Sequence, residues 1–227
     1  MLKYPCLILD HDDTVVQTER AIGYPYFRDY LAKVRPGVDL SFREYVHDCH
    51  NTVFPDMCRE KWHFTDEEMH EEYSLWQAYC AENIPPIFDG IDDLVRRQKE
   101  AGGLVCVVSL SSHANITRDY QAHFGFQPDA IYACELPREI RKPNPWPLHD
   151  IMERFGLKPE QLLMVDDMML GFTMARAAGV RTALAAWSKP DFPELMEEMR
   201  RSCDYSFETA KELEHFLFDE KQQKNIV

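Results

Sequence analysis

Two aspartates, Asp10 and Asp12, stand two residues apart where the apolar run from Tyr4 to Leu9 ends. In extended backbone such residues point the same way, so their carboxylates project together, roughly 6 to 7 Å apart. Carboxylates this close repel unless a cation or a proton lies between them. One use is divided labour, with one carboxylate as nucleophile or metal ligand and the other, protonated part of the time, as general acid and base. A polar turn is the alternative, since Asp is common where strands end. Three further places along the chain bear on the choice. Ser109-Leu110-Ser111-Ser112 closes a second apolar run with hydroxyl donors suited to a phosphate oxygen, although Ser is also an ordinary helix cap. Lys142, in Arg141-Lys142-Pro143-Asn144-Pro145, is a cation held between turns. Asp166-Asp167 closes another run with two oxygen ligands for a hard divalent cation such as Mg²⁺. None of these is specific by itself; their order along the chain is.

The runs that would position these residues are short and continuously apolar, as strands buried on both faces of a parallel sheet are. They begin near Tyr4, Leu104, Ala130, Gln161 and Val180. Helical stretches separate them at Asn115 to Phe124, Trp146 to Phe155 and Phe172 to Ala178, the last closed by Gly179. A weaker repeat adds an edge strand at Cys203 to Phe207 and a helix at Ala210 to Phe218. Strands alternating with helices imply an α/β fold, a Rossmann-like three-layer core with a mostly parallel sheet, whose ligands gather outside the carboxyl ends of the strands. The stretch from Arg20 to Phe88 breaks this beat. It lacks strand signals, is rich in aromatics, and carries Thr65 and Glu68 at capping-box spacing, so it reads as a helical insertion. Pro85-Pro86 and Phe88-Asp89-Gly90 mark its exit. The expected division is therefore a core of residues 1–19 and 89–227 with a helical domain at 20–88. The tail after Asp219 is expected to fray.

The 227 residues carry 25 Lys and Arg against 39 Asp and Glu, a formal net charge of -14. That surplus argues against a partner held by charge alone, whether nucleic acid or an anionic membrane. A composition 45% hydrophobic and 12% aromatic belongs to a folded chain. No apolar stretch reaches the length of a membrane span, and the first residues reach charge too soon for a signal peptide. Seven Cys without a CxxC pair point to free thiols, and together these features give a cytoplasmic expectation. His47, Cys49, His50 and Cys58 match no common zinc spacing and are expected to be surface and packing residues. Met164, Met168, Met169 and Met174 read as core filling. His11 faces away from Asp10 and Asp12 by alternation, so a backbone role suits it better than catalysis by its ring. Among Arg20, Arg28, Arg43 and Lys61 in the insertion, Arg43 ranks slightly first as a contact for an anionic substrate.

In order and spacing the chain resembles the haloacid dehalogenase-like hydrolase superfamily, whose four motifs lie at the ends of successive core strands. LILDHDDTV resembles the first motif, VCVVSLS the second, Lys142-Pro143 the third and LLMVDDMMLGFTMARAAGV the fourth. The helical insertion is similar to the family's C1 cap. The resemblance, closest to the phosphoglycolate phosphatase- and beta-phosphoglucomutase-like group, implies that Asp10 is the nucleophile and that Asp12 protonates the leaving oxygen. It implies that Ser109 and Lys142 bind the transferred phosphoryl group, with Leu110 at a substrate-binding position where its side chain removes a possible contact, and that Mg²⁺ is bound by Asp10, the Asp12 backbone carbonyl, Asp167 and, directly or through water, Asp166.

The chain also departs from the family pattern. Asp13 stands where many members have Gly, and Leu110 where many have Asn. Gly171 replaces the last Asp of GDxxxD, giving the EDxxxG variant with Asp166 in the Glu position. The implied activity is a Mg²⁺-dependent phosphatase for a small phosphorylated metabolite, acting as a monomer or homodimer. A sugar phosphomutase is the alternative, with haloacid dehalogenation or a non-catalytic binding role behind it. Asp12 argues against dehalogenation, since alkyl-halide displacement needs no acid there.

Overall fold

The computed structural model describes residues 2–219, and the expected fraying of the tail concerns residues 220–227, which lie outside the described residues. The chain divides into two compact units, one of Met1–Val16 with Ile87–Val227 and one of Gln17–Pro86.

The smaller unit is helical. After a π-helical turn at Glu19–Gly23 it contains α1 (Tyr24–Val34), α2 (Phe42–Asn51), α3 (Phe54–Glu60) and α4 (Asp66–Glu82). The expected capping box forms at the start of α4: Glu68 N–H donates to Thr65 Oγ1 at 3.2 Å, and Thr65 N–H donates to Glu68 Oε2 at 2.9 Å. Both satisfy amides that would otherwise lack partners. The same Glu68 receives Arg35 in a two-pronged ion pair, at 2.6 and 2.7 Å. Phe27, Leu31, Val46, Met57, Cys58 and Phe64 are buried inside the unit.

The larger unit is a six-stranded parallel sheet. Its strands are β1 (Cys6–Leu9), β2 (Leu104–Val108), β3 (Ala130–Tyr132), β4 (Leu162–Asp166), β5 (Arg181–Ala185) and β6 (Tyr205–Phe207), in spatial order β3-β2-β1-β4-β5-β6. The accompanying helices are α5 (Ile91–Glu100), α6 (His113–His123), α7 (Trp146–Phe155), α8 (Met169–Ala177), α9 (Pro193–Arg200) and α10 (Ala210–Phe218).

Continuous apolar strands follow from burial on both faces. Leu7, Leu9, Val105 and Val107 pack with Leu94 of α5, Ile116 and Tyr120 of α6, and Leu213 and Phe216 of α10. Cys6, Ile8, Cys106 and Met164 point the other way, onto Leu148 and Ile151 of α7 and Met174 of α8. All seven cysteines are free. No helix among the described residues is long and apolar enough to cross a membrane.

α7 and α10 occupy the stretches the sequence marks for them, whereas α6 and α8 start earlier than expected. Ser112 caps α6, its Oγ accepting the Asn115 N–H at 3.2 Å, so the helix begins at His113. Asp166 Oδ1 accepts the Met168 N–H at 2.9 Å, and the helical turn starts at Met169, across Gly171, despite glycine's poor helix propensity. At its far end Gly179 is left-handed (φ 72°), and Val180 N–H returns to the Ala175 carbonyl at 2.8 Å, the expected helix stop.

Candidate active site

The chain runs outward from β1 to β2 and β3, then returns to lay β4 on the other side of β1. The strand order therefore reverses between β1 and β4, and at such a point the crevice beyond the carboxyl ends opens for ligands. Leu9 pairs with Val165, and the Asp10 N–H donates to the Val165 carbonyl at 2.9 Å, so the next residues, Asp10 and Asp166, stand side by side. Asp10, Asp166 and Asp167 are all buried, and each offers a carboxylate oxygen within 4.8 Å of the others.

Buried carboxylates this close need compensating charge. Lys142, itself buried, places Nζ 2.9 Å from Asp10 Oδ1 and 2.6 Å from Asp166 Oδ2. Burial by itself would lower the pKa of the Lys142 ammonium, but Asp10 and Asp166 outweigh it and the net shift is upward. Burial raises the Asp10 and Asp166 carboxyls, with Lys142 opposing it, and Asp166 is pushed up to about 8. A second buried ammonium, Lys189, follows β5 and pairs with Asp167 Oδ2, while Asp167 Oδ1 lies 3.5 Å from the Thr14 hydroxyl. Lys189 is also 4.0 Å from Asp13 Oδ2.

The loop after β1 is tightly bonded. The His11 carbonyl accepts the N–H groups of Thr14, Val15 and Val16 at 3.4, 2.9 and 3.2 Å, which gives His11 the expected backbone role. Its ring is engaged elsewhere, with Nε2 3.0 Å from Asp119 Oδ2 on α6. Asp13 is left-handed (φ 54°), a conformation glycine adopts freely and Asp or Asn tolerates better than other residues. That is the physical reason the position accommodates either Gly or this Asp. The Trp187 indole N–H donates to the Thr14 carbonyl at 3.1 Å and ties the loop to the segment carrying Lys189.

Of the residues singled out in the sequence, the structure gathers Asp10, Asp166, Asp167 and Lys142 into one cluster. Asp12 is half-buried in the loop after Asp10. Ser109 is buried just past β2, the neighbour of β1, with its Oγ accepting the Ser111 N–H at 3.1 Å. Leu110 is exposed. Arg43 is exposed on α2 of the helical unit. Among the described residues the three aspartates are the one group placed to hold a metal, and His47, Cys49, His50 and Cys58 form none. Lys189 is the residue that sequence reasoning missed. Its Ser188-Lys189-Pro190 setting reads as loop, and only its distance along the chain from a strand end hints at a site.

Residues 7–185 match the family model for haloacid dehalogenase-like hydrolases, which covers all four motif positions. The chain belongs to this family. Curated relatives of this haloacid dehalogenase-like hydrolase include the plasmid protein CbbY of Cupriavidus necator, 31% identical over 44% of the chain and 40% of the relative. Another is a phosphoglycolate phosphatase of Mannheimia succiniciproducens, 26% identical over 51% of the chain and 53% of the relative. The matches thus span about half the length of these relatives or less. Among solved structures, a CbbY mutant from Rhodobacter sphaeroides in complex with xylulose-(1,5)bisphosphate has a TM-score of 0.71 at 20% identity, covering 94% of this chain and 96% of that one. A predicted phosphoglycolate phosphatase from Haemophilus somnus gives 0.73 at 19%, covering 94% and 97%. At these identities the likeness establishes a shared fold.

The family generally uses Mg²⁺, and the haloacid dehalogenase-like hydrolase described here has residues that fit it. Three buried carboxylates converge with oxygen ligands alone, the donor type a hard divalent cation takes.

Proposed function

We propose that the protein is a Mg²⁺-dependent phosphatase that hydrolyses a small phosphate monoester through an aspartyl-phosphate on Asp10. The observation that carries this reading is the buried Asp10 carboxylate, held at 2.9 Å by Lys142 beside Asp166 and Asp167 at the strand-order reversal. Asp10 attacks phosphorus, forming an O–P bond as the ester P–O bond breaks. Asp12 gives its proton to the leaving alkoxide, then takes one from the water that cleaves the aspartyl-phosphate. Lys142 and the Ser109 hydroxyl bind the phosphoryl oxygens, with Leu110 beside them, and spread the charge that develops there. Asp10, the Asp12 carbonyl, Asp167 and Asp166 would hold Mg²⁺. The cation supplies charge neutralisation, without which a phosphate dianion would be repelled by the carboxylates.

Lys142 supports this reading, because fixed at Asp10 it stands where a transferred phosphoryl group would need a cation. The helical unit is proposed to act as the cap that sets substrate choice, with Arg43 as a contact for an anionic substrate. Phosphoglycolate phosphatase and the xylulose-bisphosphate complex among the relatives favour small phosphorylated acids and sugars as the substrate class.

The test is a panel of such phosphates followed by phosphorus NMR in Mg²⁺. Free phosphate is the expected product. An isomeric sugar phosphate without free phosphate would make the protein a phosphomutase using the same aspartyl-phosphate, and no turnover of any member by folded protein would remove the enzymatic reading.

A further inference from the structure

Lys189 lies outside the family motifs, yet it is as deeply buried as the metal-site carboxylates, at 2% exposure against 1% for Asp167. A lysine carries a large cost of desolvation, so one this enclosed must be matched by charge. Carboxylates face it. Asp167 Oδ2 is in direct contact, and Asp13 Oδ2 is 4.0 Å away. Asp13 is also the residue by which this chain departs from the glycine common at that position. It is itself buried, and its left-handed backbone turns it within the loop that begins at Asp10.

We infer that Lys189 is a positioning residue for Asp167: it holds Oδ2 so that Oδ1 is presented to the cation, and Asp13 balances its charge. This rests on the proposed Mg²⁺ site and adds a supporting residue to it. The contact divides Asp167 into two inequivalent oxygens, one given to Lys189 and one left beside Thr14 Oγ1 at 3.5 Å. A carboxylate with two free oxygens can rotate between monodentate and bidentate poses; one anchored through Oδ2 cannot do so without breaking an ion pair. Groups that orient metal ligands in this way typically control affinity by about 10- to 100-fold. The anchor is itself fixed, because Trp187, two residues before Lys189, is tied to the Thr14 carbonyl of the same loop.

A mere counter-ion for Asp13 would have a different consequence, which a charge-neutral pair of substitutions exposes. Asp13→Asn with Lys189→Met removes one negative and one positive group together, and Asn tolerates the left-handed backbone. Binding of Mn²⁺ alone would be followed by calorimetry and by loss of the free-ion spin-resonance signal, with circular dichroism reporting the fold. The expected result is that the double variant remains folded and binds Mn²⁺ at least tenfold more weakly than wild type. A double variant that binds as wild type does would make Lys189 only a partner of Asp13, and one that no longer folds would make it a structural staple; either overturns the inference. Wild-type protein that takes up no Mn²⁺ would instead refute the metal site on which the inference rests.

Discussion

Gly171 and Asp166 occupy space that leaves no room for a side chain between them. A Cβ at Gly171 would lie 1.8 Å from Asp166 Oδ2 and 2.9 Å from the Asp166 Cβ. The glycine of the EDxxxG pattern is thus the steric counterpart of the aspartate that opens it. Gly171→Ala must displace the carboxylate, and overpacking of this kind costs about 1–3 kcal/mol. Chemical denaturation should show a loss of that size, and phosphatase activity should fall at least tenfold, with a higher Mg²⁺ requirement. An alanine variant with wild-type metal dependence would show that Asp166 has no part in the site.

Lys142 balances two buried carboxylates, so Lys142→Met leaves Asp10 and Asp166 facing each other. Breaking a buried pair in this way destabilises by about 3 kcal/mol or more. Because Mg²⁺ at the proposed site would supply positive charge to the same carboxylates, added Mg²⁺ should raise the melting temperature of the variant by more than it raises that of wild type. Activity should remain depressed by about 10²- to 10³-fold, since the proposed contact to the phosphoryl oxygens is not replaced. Equal Mg²⁺ stabilisation of the two proteins would contradict the assignment of Asp10 and Asp166 as metal ligands.

Glu72 on α4 is buried in the helical unit, and burial pushes its carboxyl from the usual 4.5 up to about 7. The folded state therefore binds the proton more tightly than the unfolded state does. Below pH 4.5 both states are protonated and Glu72 carries no penalty. The penalty grows as pH rises toward 7 and is constant above it, reaching roughly 3 kcal/mol at 1.36 kcal/mol per pH unit. Glu72→Gln should match wild type in stability near pH 4.5 and exceed it above pH 7. Denaturation curves at pH 5 and pH 8.5 check this, and an unchanged difference between the two would show that Glu72 does not titrate in the folded protein.

The sheet was legible because its strands, buried on both faces, appear as uninterrupted apolar runs, and the site was legible because its polar residues sit where those runs stop. Asp10 and Asp166 are local signals of this kind. Helix starts were less legible at α8, where Gly171 argues against helix by propensity, although the Asp166 side chain bonds the Met168 N–H two residues on and turns the chain locally before Met169. Lys189 was not legible at all. Its partners lie 22 residues away at Asp167 and 176 residues away at Asp13, and burial alone distinguishes it from the chain's surface lysines. Asp13 was visible as a departure from Gly, but its reason, a left-handed backbone beside a buried ammonium, exists only in three dimensions.

The central claim is that Asp10 is the nucleophile of a metal-assisted phosphoryl transfer. Its most direct test is phosphate release from an aryl phosphate in Mg²⁺ by wild type and by Asp10→Asn, which retains the shape of the side chain but cannot form the acyl phosphate. Wild type is expected to release phosphate, to stop on thorough chelation, and to lose activity in the variant by at least a thousandfold. Asp10→Asn protein that releases phosphate at a rate near that of wild type would contradict the account.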